Sequence, residues 1–280
     1  LIAHPTRRAL GAGLLFAAPA AARAQPNALQ VGVLPNVSAR ILLGQYQPFR
    51  AFFERELGRP VDIVTAPSLL AFQERSVAGA YGLVVTAANL GRVAQIDGRL
   101  RPVAIYEPRI PGLIVTLRDR PLNAVTELRG RIVAMTNPQS LVALKFIHWL
   151  RAQGLEMGRD ANAVHARNED SLAQLLVTGD SRAAVMSRGE FNAIRADIRD
   201  TLVVWQVFAQ VPGFLVMLGP AVNDADTARI TAALAAFPAS EAGRAFFAAT
   251  GFAGIRPVTP ADLAELDDVV AETTAFLRAP

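Results

Sequence analysis

A two-lobed α/β fold, each lobe a mostly parallel sheet flanked by helices and the two joined by a pair of hinge strands, is what this sequence predicts. Three observations carry that expectation. Pro111 to Leu117 read P-G-L-I-V-T-L, and Pro212 to Leu218 read P-G-F-L-V-M-L. Each is a turn-forming Pro-Gly followed by an unbroken apolar run of strand length, the pattern of a strand buried on both faces. A chain that crosses at the start and end of a middle segment builds two lobes joined by two connections, around a cleft suited to a small ligand. Strand and helix signals also alternate over most of the chain, which points to parallel pairing. Finally, 280 residues with 52% hydrophobic and 19% charged content supply a sizeable core and exclude disorder.

The elements follow in order. Leu29 to Leu34 is a short strand ending at Pro35, and Ser38 is placed to cap a helix running to about Leu57, with Gly58 as its stop. Val61 to Ala66 reads as a strand, Ser68 to Ala78 as a helix, Gly82 to Thr86 as a buried strand, and Asn89 as the start of a short helix. Arg101 to Tyr106 returns as a strand. In the middle segment Thr126 begins a helical turn and Arg131 to Met135 is a strand. The helix Leu141 to Arg151 is apolar nearly all round, which predicts deep burial. Ser171 to Thr178 is a helix, and Ala183 to Ser187 and Leu202 to Phe208 are strands. After the second Pro-Gly strand come helices over Asp226 to Ala236, Ser240 to Ala249 and Ala261 to Leu277. The last starts on Thr259 as cap with Pro260 at the first position.

Composition removes several functions. There is no cysteine, so disulfides, thiolate catalysis and cysteine-bound metal are excluded. Arg7-Arg8, an apolar stretch from Ala9 to Ala22 and the A-x-A of Ala22-Arg23-Ala24 form the three-part layout of a signal peptide over residues 1–24. Export by general secretion or by the twin-arginine route is expected. Without that segment 25 basic residues face 24 acidic ones, and no basic stripe interleaved with aromatics marks a nucleic-acid surface. The histidines past the leader are two, His148 in an apolar helix and His165 at a strand end, read as packing and surface respectively. No HExxH spacing, nucleophile elbow, Walker loop or dinucleotide fingerprint is present, so neither metal, cofactor nor catalytic residue is expected.

In open α/β sheets ligands bind beyond the carboxyl ends of strands, where loops enter helix N-termini. Those ends are Pro35 to Ser38, Thr86 to Asn89, Tyr106 to Arg109, Thr136 to Ser140 and Ser187 to Glu190. Asn36, Ser38, Thr86, Asn89, Asn137 and Ser140 are the candidate oxygen binders, since short polar side chains and free helix N–H groups suit an anion. Ser38, Asn89 and Ser140 fit ordinary helix caps equally well. Tyr106 is the candidate cleft wall, Arg109 and Arg188 the candidate counter-charges, and Glu107 or Glu190 could instead hold an amine.

Five stretches in this order resemble the phosphonate-binding-protein family of periplasmic solute receptors for ABC importers. They are V-G-V-L-P at 31–35, L-G-R-P-V-D at 57–62, Y-G-L-V-V-T-A-A-N-L at 81–90, L-R-G-R-I-V-A-M-T-N-P-Q-S at 128–140 and G-F-A-G-I-R-P-V-T-P-A-D-L at 251–263. The resemblance implies a type 2 periplasmic-binding-protein fold. Residues 25–112 plus 219–280 would form lobe one, 113–218 lobe two, and the Pro-Gly strands the hinge. It further implies a monomer that captures a small polar or oxyanionic ligand and hands it to an importer permease, meeting the membrane only through that partner. A receptor for a membrane signalling partner, or an enzyme on the same fold, are the alternatives. Where the family's ligand loop carries several hydroxyls after its D-P turn, this chain reads Asn137-Pro138-Gln139-Ser140-Leu141-Val142, and only Ser140 keeps one. That departure leaves open another small oxyanion or a less charged head.

Overall fold

The structure, a computed structural model, describes residues 28–278; the signal peptide expected over residues 1–24 lies outside them. The first half runs β1 (Leu29–Val33), α1 (Ala39–Gln45), α2 (Gln47–Leu57), β2 (Val61–Val64), α3 (Leu69–Val77), β3 (Leu83–Thr86), α4 (Ala88–Ile96) and β4 (Arg101–Glu107). The middle segment comprises β5 (Ile110–Leu117), a 3-10 turn (Val125–Leu128), β6 (Ile132–Met135), α5 (Leu141–Ala152), β7 (Asn162–His165), α6 (Glu169–Val177), β8 (Ala183–Ser187), α7 (Arg188–Ala193), α8 (Ala196–Arg199) and β9 (Leu202–Val211). The chain then returns through β10 (Leu215–Leu218), α9 (Asp224–Ala236), α10 (Glu241–Thr250), β11 (Gly254–Pro257), α11 (Pro260–Ala264) and α12 (Val270–Arg278).

These strands form two sheets, ordered β11-β4-β10-β3-β1-β2 and β7-β6-β8-β5-β9. In the first, β2, β1 and β3 pair in parallel while β10 runs antiparallel to β3 and β4. In the second, β7, β6 and β8 are parallel and β5 is antiparallel to β8 and β9. The reversed strand inside each sheet is thus the one the Pro-Gly repeat announces, and Leu113–Val115 and Leu215–Leu218 are fully buried. We call the two halves the first and second lobe.

The chain crosses between sheets at Pro108-Arg109 and at Pro212-Gly213-Phe214, and these crossings lie against one another. The N–H of Tyr106 donates to the carbonyl of Phe214 at 2.9 Å. A Cβ on Gly213 would stand 2.1 Å from the Tyr106 carbonyl oxygen, so only glycine permits this approach. Gly112 pairs with Ser187, which brings the carboxyl end of β8 to the same crossing as the carboxyl end of β4.

Local chemistry explains most helix starts. Ser38, Ser68, Ser140, Asn168, Asn223 and Ser240 each accept a backbone N–H of the first turn, and Ser187 and Thr259 complete capping boxes with Glu190 and Asp262. Two expected helices are broken. The one predicted from Ser38 to Leu57 divides at Tyr46, where Pro48 enters the first turn of α2. The terminal one divides into α11, a 3-10 turn at Asp267–Val269 and α12. α5 is less enclosed than its sequence implies, because Lys145, Ile147, His148 and Trp149 are only half-buried against the terminal segment.

That segment straps the lobes together. Asp268 accepts from Lys145 of α5 at 2.6 Å and lies 3.4 Å from His148, whose other ring nitrogen is 2.9 Å from Glu272. The neighbouring Asp267 meets Arg92 of α4 at 2.8 Å. His148, read from sequence as packing, is therefore a half-buried member of an inter-lobe ion-pair network, while His165 is exposed as expected.

Candidate functional site

The carboxyl ends of β1 and β3 in the first lobe face those of β6 and β8 in the second, and Asn89 joins them. Its Nδ2 donates to the Gln139 carbonyl of the second lobe at 3.3 Å and to Thr273 Oγ1 of α12 at 3.2 Å. The residue is 1% exposed, yet its Oδ1 has no partner; Thr86, 0% exposed, also has an unpartnered hydroxyl. Groups buried in this state cost about 1–3 kcal/mol each. Between them α4 begins on Ala87 with no side-chain cap, unlike α1, α5 and α7 at the other strand ends. Its first-turn N–H groups, with the helix dipole behind them, are left for another acceptor.

Across the cleft α5 starts at Ser140, whose hydroxyl accepts the Ala143 N–H at 3.2 Å, and Asn137 Oδ1 accepts the Gln139 N–H at 2.9 Å. Both side chains hold the loop in shape, leaving the N–H groups of Leu141 and Val142 as the free donors there. Glu190 closes the second-lobe wall. One of its oxygens accepts from Thr136 Oγ1 and the other from the Ser187 N–H at 2.7 Å. Two donors that would suit an anionic ligand are therefore already taken by the protein's own carboxylate.

The remaining sequence candidates are dispersed. Asn36 and Ser38 sit exposed at the rim, Ser38 capping α1 at 3.5 Å. Arg188 is half-buried with its guanidinium over the Phe191 ring, 5.6 Å from the centroid. Two expectations need correction. Tyr106 is not a cleft wall: it is 1% exposed within Phe214, Phe246 and Phe252, its hydroxyl 3.2 Å from that of Tyr46. Burial pushes its phenol well above the ordinary tyrosine range, with Tyr46 adding to the shift. Arg109 is not a free counter-charge, since its guanidinium binds the Gln210 carbonyl and Glu265 at 2.9 Å, bracing the crossing. Glu107 is likewise engaged by Arg256.

Sequence reasoning did not foresee the Thr136–Glu190 contact, nor the contributions of Thr273 and the Gln139 carbonyl. Ser187-Arg188-Gly189-Glu190 does carry the S-x-x-E capping-box pattern, which would have tied the Glu190 carboxylate to the strand end.

Two lobes on a shared crossing, with orphaned polar groups where their strand ends meet, define a cleft protein built to enclose a small solute. The chain matches the model of the periplasmic substrate-binding proteins of phosphonate ABC transporters over residues 31–263, and it belongs to that family. The family is periplasmic and works with ABC transporters; no helix among the described residues is long and apolar enough to cross a membrane. No curated protein sequence matches. Among solved structures, PhnD1 from Prochlorococcus marinus in complex with methylphosphonate superposes with TM-score 0.75 at 12% identity, covering 89% of this chain and 99% of that one. A Xanthomonas citri protein bound to chloride gives TM-score 0.75 at 18% identity over 89% and 99%. The aliphatic sulphonate binding protein SsuA from Escherichia coli gives 0.68 at 17% over 91% and 95%. At these identities the likeness establishes the fold.

Proposed function

We propose that the chain is exported to the periplasm, by general secretion or the twin-arginine route, and captures one small oxyanion for delivery to an ABC importer permease. It acts as a monomer without catalysis, residues 113–218 closing on residues 25–112 plus 219–280 about the two crossings. The observation that carries this reading is Asn89, buried between the lobes with an unpaired Oδ1, beside the unpaired Thr86 hydroxyl and the uncapped start of α4. Donors at α4 and α5 suit oxyanion oxygens, whereas Asn89 Oδ1 requires a ligand hydrogen. An oxyanion that retains one proton, as a phosphonate or phosphate monoanion does, satisfies both demands; a sulfonate has no proton to give. Ser140 and Asn137 contribute by shaping the α5 loop, and Asn36, Ser38 and Arg188 at the rim. Asn89→Ala removes that Oδ1 acceptor and should weaken alkylphosphonate binding at least about tenfold by calorimetry; unchanged affinity refutes the assignment.

Glu190 supports a second reading. A carboxylate on the second-lobe wall favours a ligand that also carries an amine. Glu190→Gln then separates the two: aminoalkylphosphonate affinity falls if the amine meets Glu190, and rises if Glu190 merely competes with the oxyanion for Thr136 and Ser187.

A further inference from the structure

The second lobe holds a cavity of about 680 Å³ at the edge opposite the cleft, by the amino ends of β6 and β8. Its floor is apolar, made by Leu117, Ile132 and Leu176. Ile132 is 41% exposed although β6 is an interior strand of its sheet, so its apolar side chain is open to solvent, with Leu117 half-buried beside it and Leu176 buried. Three arginines edge the cavity. Arg182 is fully engaged, donating to the carbonyls of Arg120 and Pro121 at 2.7 and 2.9 Å and to Glu127 at 2.8 Å. This clasp fixes the Arg120 backbone but leaves that residue's own guanidinium with a single 3.9 Å approach to Asp119. Arg131, also exposed, makes no side-chain hydrogen bond or ion pair among the described residues. Of the facing carboxylates, Glu127 is taken by Arg182, Asp119 is largely in solvent, and Asp180 accepts from Thr178 Oγ1 at 2.6 Å.

A further polar group points to an occupant. Ser181 lines the same cavity, is 6% exposed, and its Oγ has no hydrogen-bond partner. A buried hydroxyl in native structures is nearly always satisfied, by protein, water or ligand. Two under-used guanidiniums above an apolar floor, with one buried donor, match an organic acid carrying a carboxylate or sulfonate on an apolar body.

We propose that this cavity is a second binding site, separate from the inter-lobe cleft, for a small amphipathic organic anion. Arg120 and Arg131 hold the anionic head, to which Ser181 Oγ also donates, and the apolar body lies over Leu117, Ile132 and Leu176. The probe is 1-naphthalenesulfonate, titrated into the isotope-labelled protein while backbone amide resonances are followed. Saturable shifts are expected at Gly130, Arg131, Gly179 and Ser181. The paired substitution Arg120→Ala and Arg131→Ala should weaken the apparent affinity at least about tenfold at an unchanged melting temperature. Shifts confined to Asn89, Gln139 and Ser140 would place the probe in the cleft and overturn the proposal. So would an absence of saturation, or equal affinity in the paired variant.

Discussion

Gly213→Ala tests the packing of the two crossings. The added Cβ would lie 2.1 Å from the Tyr106 carbonyl oxygen and 2.9 Å from its carbon, where ordinary contact begins near 3.4 Å. The obstacle is backbone, so no rotamer change relieves it. Either β4 or the Pro212–Phe214 segment must move by about 1 Å, and the 2.9 Å bond from the Tyr106 N–H to the Phe214 carbonyl resists both. Overpacking of this kind costs about 1–3 kcal/mol. At about 2–4 °C per kcal/mol for a chain near this size, the melting temperature should fall by roughly 2–12 °C. Gly44→Ala is the control. Gly44 lies in exposed α1 with nothing within 4 Å of the added methyl, and alanine there should gain up to about 1 kcal/mol through helix propensity. Gly112→Ala should fall between them, because its 2.7 Å neighbour is the Phe208 ring, which can turn aside. Thermal unfolding followed by circular dichroism reads all three. If Gly213→Ala melts with the parent, the crossings do not pack as described.

Asp262 caps α11 and takes both guanidinium nitrogens of Arg256 at 2.7 Å, an arrangement that holds its carboxyl well below the ordinary range through Arg256 first and Thr259 next. Its folded pKa is depressed, so the stability it confers is present above the unfolded value of about 3.9 and is lost as pH falls through the folded one. Asp262→Asn should therefore cost about 1–3 kcal/mol at pH 7 and much less near pH 2, by denaturant titration at each pH. Across the strap, burial opposes ionisation of Asp268, yet Lys145 and then His148 hold its carboxyl below the ordinary range. A double-mutant cycle on Lys145→Ala and Asp268→Ala should return about 0.2–1 kcal/mol of coupling that shrinks with added salt, and zero coupling at low salt would remove the pair from the strap. Asn89→Ala should destabilise by about 1–3 kcal/mol, since the Gln139 carbonyl and Thr273 hydroxyl lose their donor. No loss on denaturant titration would mean the inter-lobe contact is absent in solution.

Much of the architecture was legible because it rests on local chemistry. Pro-Gly followed by apolar runs located β5 and β10, and Ser38, Ser140 and Thr259 located three helix starts. β11 escaped notice because four residues beginning with glycine and ending with proline carry no strand periodicity, and its place is set by pairing with β4 some 150 residues earlier. Long-range partners also decide the site. Arg109 reads as a free cation until Gln210 and Glu265 fold onto it, and Tyr106 as a cleft aromatic until Tyr46 and Phe246 enclose it. Thr86 and Asn89 were recognisable as polar residues at a strand end. That they are the ones buried without full partners follows only from long-range packing, of β10 against Thr86 and of Gln139 and Thr273 against Asn89.

The proposed function requires the cleft to select a small oxyanion that still carries a proton. Calorimetry of methylphosphonate and aminoalkylphosphonates against methanesulfonate, on the parent protein and Asn89→Ala, measures this selectivity. Saturable binding of a phosphonate, at least about tenfold tighter than the sulfonate and weakened at least about tenfold in Asn89→Ala, is the predicted result. Sulfonate binding as tight as phosphonate, or phosphonate binding indifferent to Asn89→Ala, would overturn the proposed selectivity.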